Sequence, residues 1–209
     1  MPSGFASVSQ NNGITLVYSK QAFSAASIAI TFIAYLPYTI AIIRGKIKPH
    51  VFSWIIWGIT TFVVFFAQLA DNGGAGAWPT GLAGIISLII AVIAYLKRGD
   101  VEISKTDWAF FIAALASLPL WYFTANPLWA VVILTLIDVL GFGPTIRKVY
   151  HEPHSESLTF YTLYAIRGFV SIPALENYSV TTLFNPAVVS AACLLFVAMA
   201  LVRRRALTV

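Results

Sequence analysis

Charge is what this sequence has least of. Asp, Glu, Lys and Arg make up 10% of its 209 residues, where an ordinary soluble domain carries about 25%. So few charged side chains cannot coat a water-facing globule, and lipid must therefore face much of the surface. A hydrophobic content of 59% and a mean hydropathy of +0.83 agree. Cysteine is nearly missing as well, and the single Cys193 excludes an intramolecular disulfide. No lysine falls inside an apolar stretch, which excludes a retinal Schiff base. The chain has no Walker loop, no His-Glu-x-x-His and no plausible Ser/His/Asp arrangement, the patterns that phosphate binding and hydrolysis require. No catalytic residue and no cofactor are therefore expected, and the chain reads as a non-enzyme. His50, His151 and His154 fall in turns with too few companion ligands for a metal. Residues 1–21 lack the basic start and apolar core of a cleaved signal peptide and are expected to form a polar extracytoplasmic tail.

Long apolar runs fill the rest. A bilayer core about 30 Å thick needs roughly 20 apolar residues in a helix, and seven stretches qualify: 22–43, 51–70, 79–96, 108–124, 127–146, 157–174 and 184–202. Taking the connecting segments alternately, eleven of the thirteen Lys and Arg lie on one side, from Arg44 to Arg205, and only Lys20 on the other. Arg167 lies within a stretch. By the positive-inside rule the amino terminus is outside and the carboxyl terminus cytoplasmic, so the basic pI near 9.4 reports orientation rather than nucleic-acid binding.

The chain also carries an internal repeat. Pro37 and Pro144 stand 107 residues apart, as do Pro79 and Pro186, each of the latter two expected to open a helix. Lys97-Arg98 pairs with Arg204-Arg205 at the same offset. The expected fold is an all-α membrane protein with seven transmembrane helices in a 3+1+3 plan, two parallel three-helix repeats joined by a linker helix. Its segments are the tail 1–21, a first repeat 22–98, a linker 99–126 with the fourth span, a second repeat 127–205 and a short cytoplasmic tail 206–209. Parallel repeats of this kind are a transporter plan with a site where the units meet.

The stretch Gly143-Pro144-Thr145-Ile146-Arg147-Lys148, followed by Ser155-Glu156-Ser157-Leu158-Thr159-Phe160, resembles the signature of PQ-loop membrane proteins. That superfamily includes the SWEET (MtN3) sugar transporters, the lysosomal cystine exporter and the KDEL receptors. Leu36-Pro37-Tyr38 through Ser53-Trp54 is similar to a looser copy, and the glutamine that follows each family proline is replaced by Tyr38 and Thr145. The resemblance implies alternating access, with Pro37 and Pro144 as hinges, since a proline inside a helix removes a backbone hydrogen bond and kinks it. A static kink is the plainer alternative.

Asp138 is the most informative single residue. It precedes Arg147 by nine positions, placing it about 13 Å of helix from the cytoplasmic edge. A carboxylate at that depth costs at least about 2.5–3.5 kcal/mol. Arg167 lies at a similar depth in the sixth stretch, so a buried ion pair that fixes packing and a proton-coupling or substrate-binding carboxylate are both open. Some members of the superfamily use an aspartate near this motif for proton coupling. Trp54 and Trp57 are expected chiefly as interfacial anchors, with an aromatic substrate platform, implied by the SWEET resemblance, as the alternative. Asn185 matches the asparagine of the seventh SWEET helix, although it sits at the outer end of its stretch. Tyr164, with Tyr35, Gln68 and Tyr161, is a candidate to line a cavity. The expected function is small-solute transport across a bacterial-type inner (plasma) membrane, proton-linked or downhill, of a sugar, amino acid or vitamin-like solute. The alternatives are a receptor or sorting protein on the same scaffold and a structural subunit that forms homo-oligomers. The lipid bilayer is a partner in all three, and nucleic acid in none.

Overall fold

The computed structural model describes residues 4–47, 49, 51–97 and 126–206, with seven isolated positions between 105 and 123. Among the described residues the chain is all-helical: α1 (Gly4–Ile43), α2 (Val51–Ala70), a 3-10 turn (Gly74–Ala77), α3 (Trp78–Leu96), α4 (Pro127–His151), α5 (Leu158–Ser171), a second 3-10 turn (Ile172–Ala174) and α6 (Val180–Ala206). Local chemistry sets several of these ends. Gly45 takes a positive φ of 70° just after α1, the left-handed cap that glycine adopts without strain. Pro79 lies in the first turn of α3, where its missing N–H has no intrahelical partner to lose. Ser157 caps α5 by accepting from the Phe160 N–H at 3.3 Å.

Two boundaries depart from the sequence reading. Helix α1 starts at Gly4, so the expected tail 1–21 is largely helical; no proline follows Pro2 before Pro37 to interrupt it. Helix α6 starts at Val180, so Pro186 lies inside the helix rather than opening it. A proline there leaves the carbonyl four residues back without its N–H. That carbonyl belongs to Thr182, and the buried Gln68 amide of α2 donates to it at 2.9 Å. Gln68→Leu is therefore expected to cost about 1–2 kcal/mol. Thermal unfolding in detergent checks this, and an unchanged midpoint would mean that Thr182 finds another donor.

Helix packing follows a regular order. Helix α3 packs against both α1 and α2, and α6 against both α4 and α5. The two sets meet through α1 on α5 and α2 on α4. Close approaches occur at glycine: a Cβ on Gly141 would lie 2.9 Å from Nε1 of Trp57 across the α2–α4 contact.

Among the described residues four helical segments are long and apolar enough to cross a membrane: Tyr18–Ile43, Ser53–Ala70, Gly74–Leu96 and Val180–Ala206. Of the other expected spans, 127–146 corresponds to a shorter apolar segment, Pro127–Gly143. The stretch 157–174 holds the 14-residue α5 and the 3-10 turn that continues it. The stretch 108–124 lies outside the described residues except for isolated positions. Polarity is also inverted relative to a water-soluble bundle. Helix α1 buries Ser24, Ser27 and Thr31 while exposing Phe32, Ile33, Leu36 and Ile40. Buried polar groups beside an exposed apolar face are informative in a way that single exposed leucines are not, and here they are compatible with an integral membrane protein.

Candidate solute-binding cleft

All six described helices contribute to one cleft, four of them through sets of side chains on one helix face. Helix α2 contributes Trp54, Trp57 and Thr61, at i, i+3 and i+7, the spacing that puts residues on one helix face. Asp138 and Phe142 of α4, and Val189 and Cys193 of α6, follow the same rule at i and i+4. Helix α5 supplies Phe160, Tyr161 and Tyr164, while α1 and α3 supply Tyr35 and Ser87, whose hydroxyls lie 3.1 Å apart. The cavity volume is about 30 Å³, room for a water or two as the helices stand.

Asp138 is 4% exposed, so the depth inferred from the sequence is matched by burial. Its two oxygens have separate partners. Thr60 Oγ1 bonds Oδ1, and the Asn185 amide donates to Oδ2 at 3.2 Å and to Thr135 Oγ1 at 3.1 Å. Trp57 donates its indole N–H to the Asp138 backbone carbonyl at 3.3 Å, tying α2 to α4 beside the carboxylate. Asn185 reaches Asp138 because α6 begins a turn earlier than the sequence suggests, which carries the residue from the outer end into the second turn. Thr60 and Thr135 went unnoticed in the sequence, since isolated threonines in apolar helices give no signal.

Arg167 is equally buried but has different partners. Its Nη1 donates to the Pro79 carbonyl at 2.9 Å, its guanidinium carbon lies 4.5 Å from the Tyr164 ring centroid, and its Nε has no partner. No ion pair links it to Asp138; the similar depth seen in the sequence does not bring the two charges into contact. Trp54, 3% exposed, is a core residue and Trp57 is half-buried. Both line the cleft. Pro37 lies inside α1; α4 is helical through position 144, and the side chain of Pro144 lies outside the described set.

Contacts between the two helix sets lie toward both ends of the cleft. Toward the end that carries Arg203–Arg205, Tyr38 stacks on Phe160 with centroids 4.4 Å apart and sits 5.3 Å from Trp54. The Tyr38 hydroxyl donates to buried Glu156 at 3.4 Å. At the opposite end the two 3-10 turns meet. Glu176 N–H donates to the Gly73 carbonyl at 3.2 Å, and a Cβ on Gly76 would lie 2.6 Å from the Leu175 nitrogen. Lys20 and Ser24 of α1 add bonds to the carbonyls of Leu175 and Ala75.

Fold and cleft together define an all-helical protein, compatible with membrane insertion, that holds a carboxylate in an aromatic-walled cleft. No family model, curated protein or solved structure matches the chain. The likeness to PQ-loop proteins therefore rests on the sequence motifs alone.

Proposed function

We propose that the chain is a small-solute membrane transporter of the PQ-loop/SWEET type, working by alternating access between two three-helix units. Seven transmembrane helices would be arranged 3+1+3, with the amino terminus outside, the carboxyl terminus cytoplasmic, and residues 108–124 as the linker span. The observation that carries the reading is the cleft itself. It lies between the helix sets, is lined from all six described helices, contains one buried carboxylate, and has toward each end contacts that cross from one set to the other. Rocking one unit against the other would break one closure while keeping the second. The matching contacts, α1 on α5 and α2 on α4, support a two-fold relation between units, as parallel repeats require. Gln68 and Asn185, both buried near α6, would keep the polar path toward the outer end hydrated or bonded.

Purified protein in liposomes, assayed for uptake of a panel of sugars, amino acids and vitamins, tests this reading. Saturable uptake of at least one solute, absent from empty liposomes, is expected. If uptake is proton-linked through Asp138, an imposed pH gradient drives accumulation in the wild type and not in Asp138→Asn. A gradient response that survives in Asp138→Asn would remove Asp138 from the coupling.

A further inference from the structure

A roomier cavity than the cleft lies between α1 and α5, about 90 Å³ against about 30 Å³. Helix α1 lays Ile33, Pro37 and Ala41 along one wall, at i, i+4 and i+8, and α5 sets Phe160 and Leu163 opposite. Ile33, Pro37 and Thr159 are exposed, so the cavity is a groove open on the outer face of the helix pair. The exposed side chains beside it on α1, Phe32, Leu36 and Ile40, are apolar, and in a membrane such a face meets lipid. Ile33 to Ala41 spans about 12 Å of helix, which makes the groove a slender furrow rather than a compact chamber. A void facing lipid forfeits dispersion contacts, and the apolar matter at hand to fill it is acyl chain. A helix about 10 Å across, from the linker stretch or a second copy, is too broad to enter.

The end of the groove is basic. The Arg44 N–H donates to the Ile40 carbonyl at 3.0 Å, which carries the helical register just beyond α1. At i+3 from Ala41 and i+7 from Pro37, Arg44 stands on the same helix face as that wall. Gly45 then turns the chain back: the N–H groups of Lys46 and Ile47 both donate to the Ala41 carbonyl, at 2.9 and 3.4 Å, and Ile47 lines the groove. Arg44 and Lys46 are exposed. Of the two acids in the α4–α5 turn, Glu156 is buried and accepts from Tyr38, and Glu152 follows α4, which lines no part of the groove. An apolar furrow that leads to two exposed cations fits an amphiphile with an apolar chain and an anionic head. We propose that the groove seats one acyl chain of an anionic phospholipid from the leaflet at the basic end, with Arg44 and Lys46 on its headgroup. Phe160 lines both groove and cleft and stacks on Tyr38, so the seated chain bears on a ring where the two helix sets meet. The assignment rests on the membrane reading and not on transport.

The test uses the purified full chain in detergent, titrated with dioctanoyl phosphatidylglycerol, dioctanoyl phosphatidylcholine and glycerol phosphate, and followed by thermal unfolding and native mass spectrometry. Phosphatidylglycerol is expected to bind saturably and about tenfold or more tighter than phosphatidylcholine, since each Lys or Arg near the head changes affinity about fivefold. Ala41→Phe, which fills the furrow from its own wall, should abolish the binding. Arg44→Gln with Lys46→Gln should bring phosphatidylglycerol down to the level of phosphatidylcholine and leave phosphatidylcholine unchanged. Both of those positions are exposed, so this pair reads the site even if Ala41→Phe fails to fold. Lys97→Gln, at the end of α3 and off the groove, should change nothing. Equal affinity for the two lipids, or no binding of either, would overturn the proposal. So would binding undiminished in Ala41→Phe, or a loss in Lys97→Gln as large as in the Arg44 and Lys46 pair. Glycerol phosphate binding as tightly as phosphatidylglycerol would also overturn it, as the mark of a free-anion site. Solute flux without this lipid selectivity would remove the groove assignment and leave transport standing. Selectivity without solute flux would uphold the groove and remove transport.

Discussion

Asp138→Leu is expected to abolish solute flux while leaving the melting temperature within a few degrees of the wild type. The two effects separate because they have different origins. Removing the carboxylate strands little, since Thr60 Oγ1 can still donate to the Ile56 carbonyl at 2.9 Å and the Asn185 amide still bonds Thr135. It also removes a charge whose burial is unfavourable by about 2.5–3.5 kcal/mol or more, which offsets the lost bonds. The solute, by contrast, loses its only carboxylate partner among the cleft-lining residues. A charge-assisted bond of about 1.5–3 kcal/mol corresponds to roughly 10- to 100-fold in affinity. Flux and thermal unfolding measured on the same preparation decide the matter. Wild-type flux in a stable variant would place the solute elsewhere, and a collapse of stability would make Asp138 a packing residue.

A large effect on stability is expected at Gly168 of α5. A Cβ there would overlap the hydroxyl of Ser190 and lie 3.2 Å from the Pro186 carbonyl of α6. The hydroxyl can rotate, having no partner of its own to lose, but the carbonyl is backbone. Gly168→Ala should therefore cost about 1–3 kcal/mol and Gly168→Val more, through overpacking of the α5–α6 contact. Adding Ser190→Ala should recover part of the alanine loss and little of the valine loss, because it clears the hydroxyl and not the carbonyl. Thermal unfolding of these four variants, of Ser190→Ala alone and of the wild type closes two double-mutant cycles. Additive effects would show that the two positions do not meet.

Much of the site was legible from residue type and depth. Asp138 was singled out because a carboxylate deep in an apolar stretch is costly, and it is buried in the cleft. Trp54 and Trp57 carried a signal open to two readings. Their i, i+3 spacing, continued by Thr61, already describes a helix face turned to a cavity, but tryptophan near a helix start also describes an anchor. Only packing separates the two. Asn185 was a candidate from the family motif, placed at the outer end of its stretch because Pro186 reads as the first turn of a helix. In the fold that proline is interior, and Gln68 from another helix satisfies the carbonyl it frees.

Composition and apolar run length by themselves determined that this protein is helical, poor in surface charge and built from segments on the scale of a bilayer. Those properties depend on summed hydrophobicity and on backbone bonds closed within each helix. The tertiary structure decided who meets whom: that Asp138 pairs with Thr60 and Asn185, that Arg167 turns to Pro79 and Tyr164, and that Tyr38 meets Phe160 and Glu156 across the two helix sets. Periodicity states which face of a helix a residue occupies. It does not state which helix lies opposite or at what rotation and height, and a difference of one turn, about 5.4 Å, is enough to exchange one hydrogen-bond partner for another.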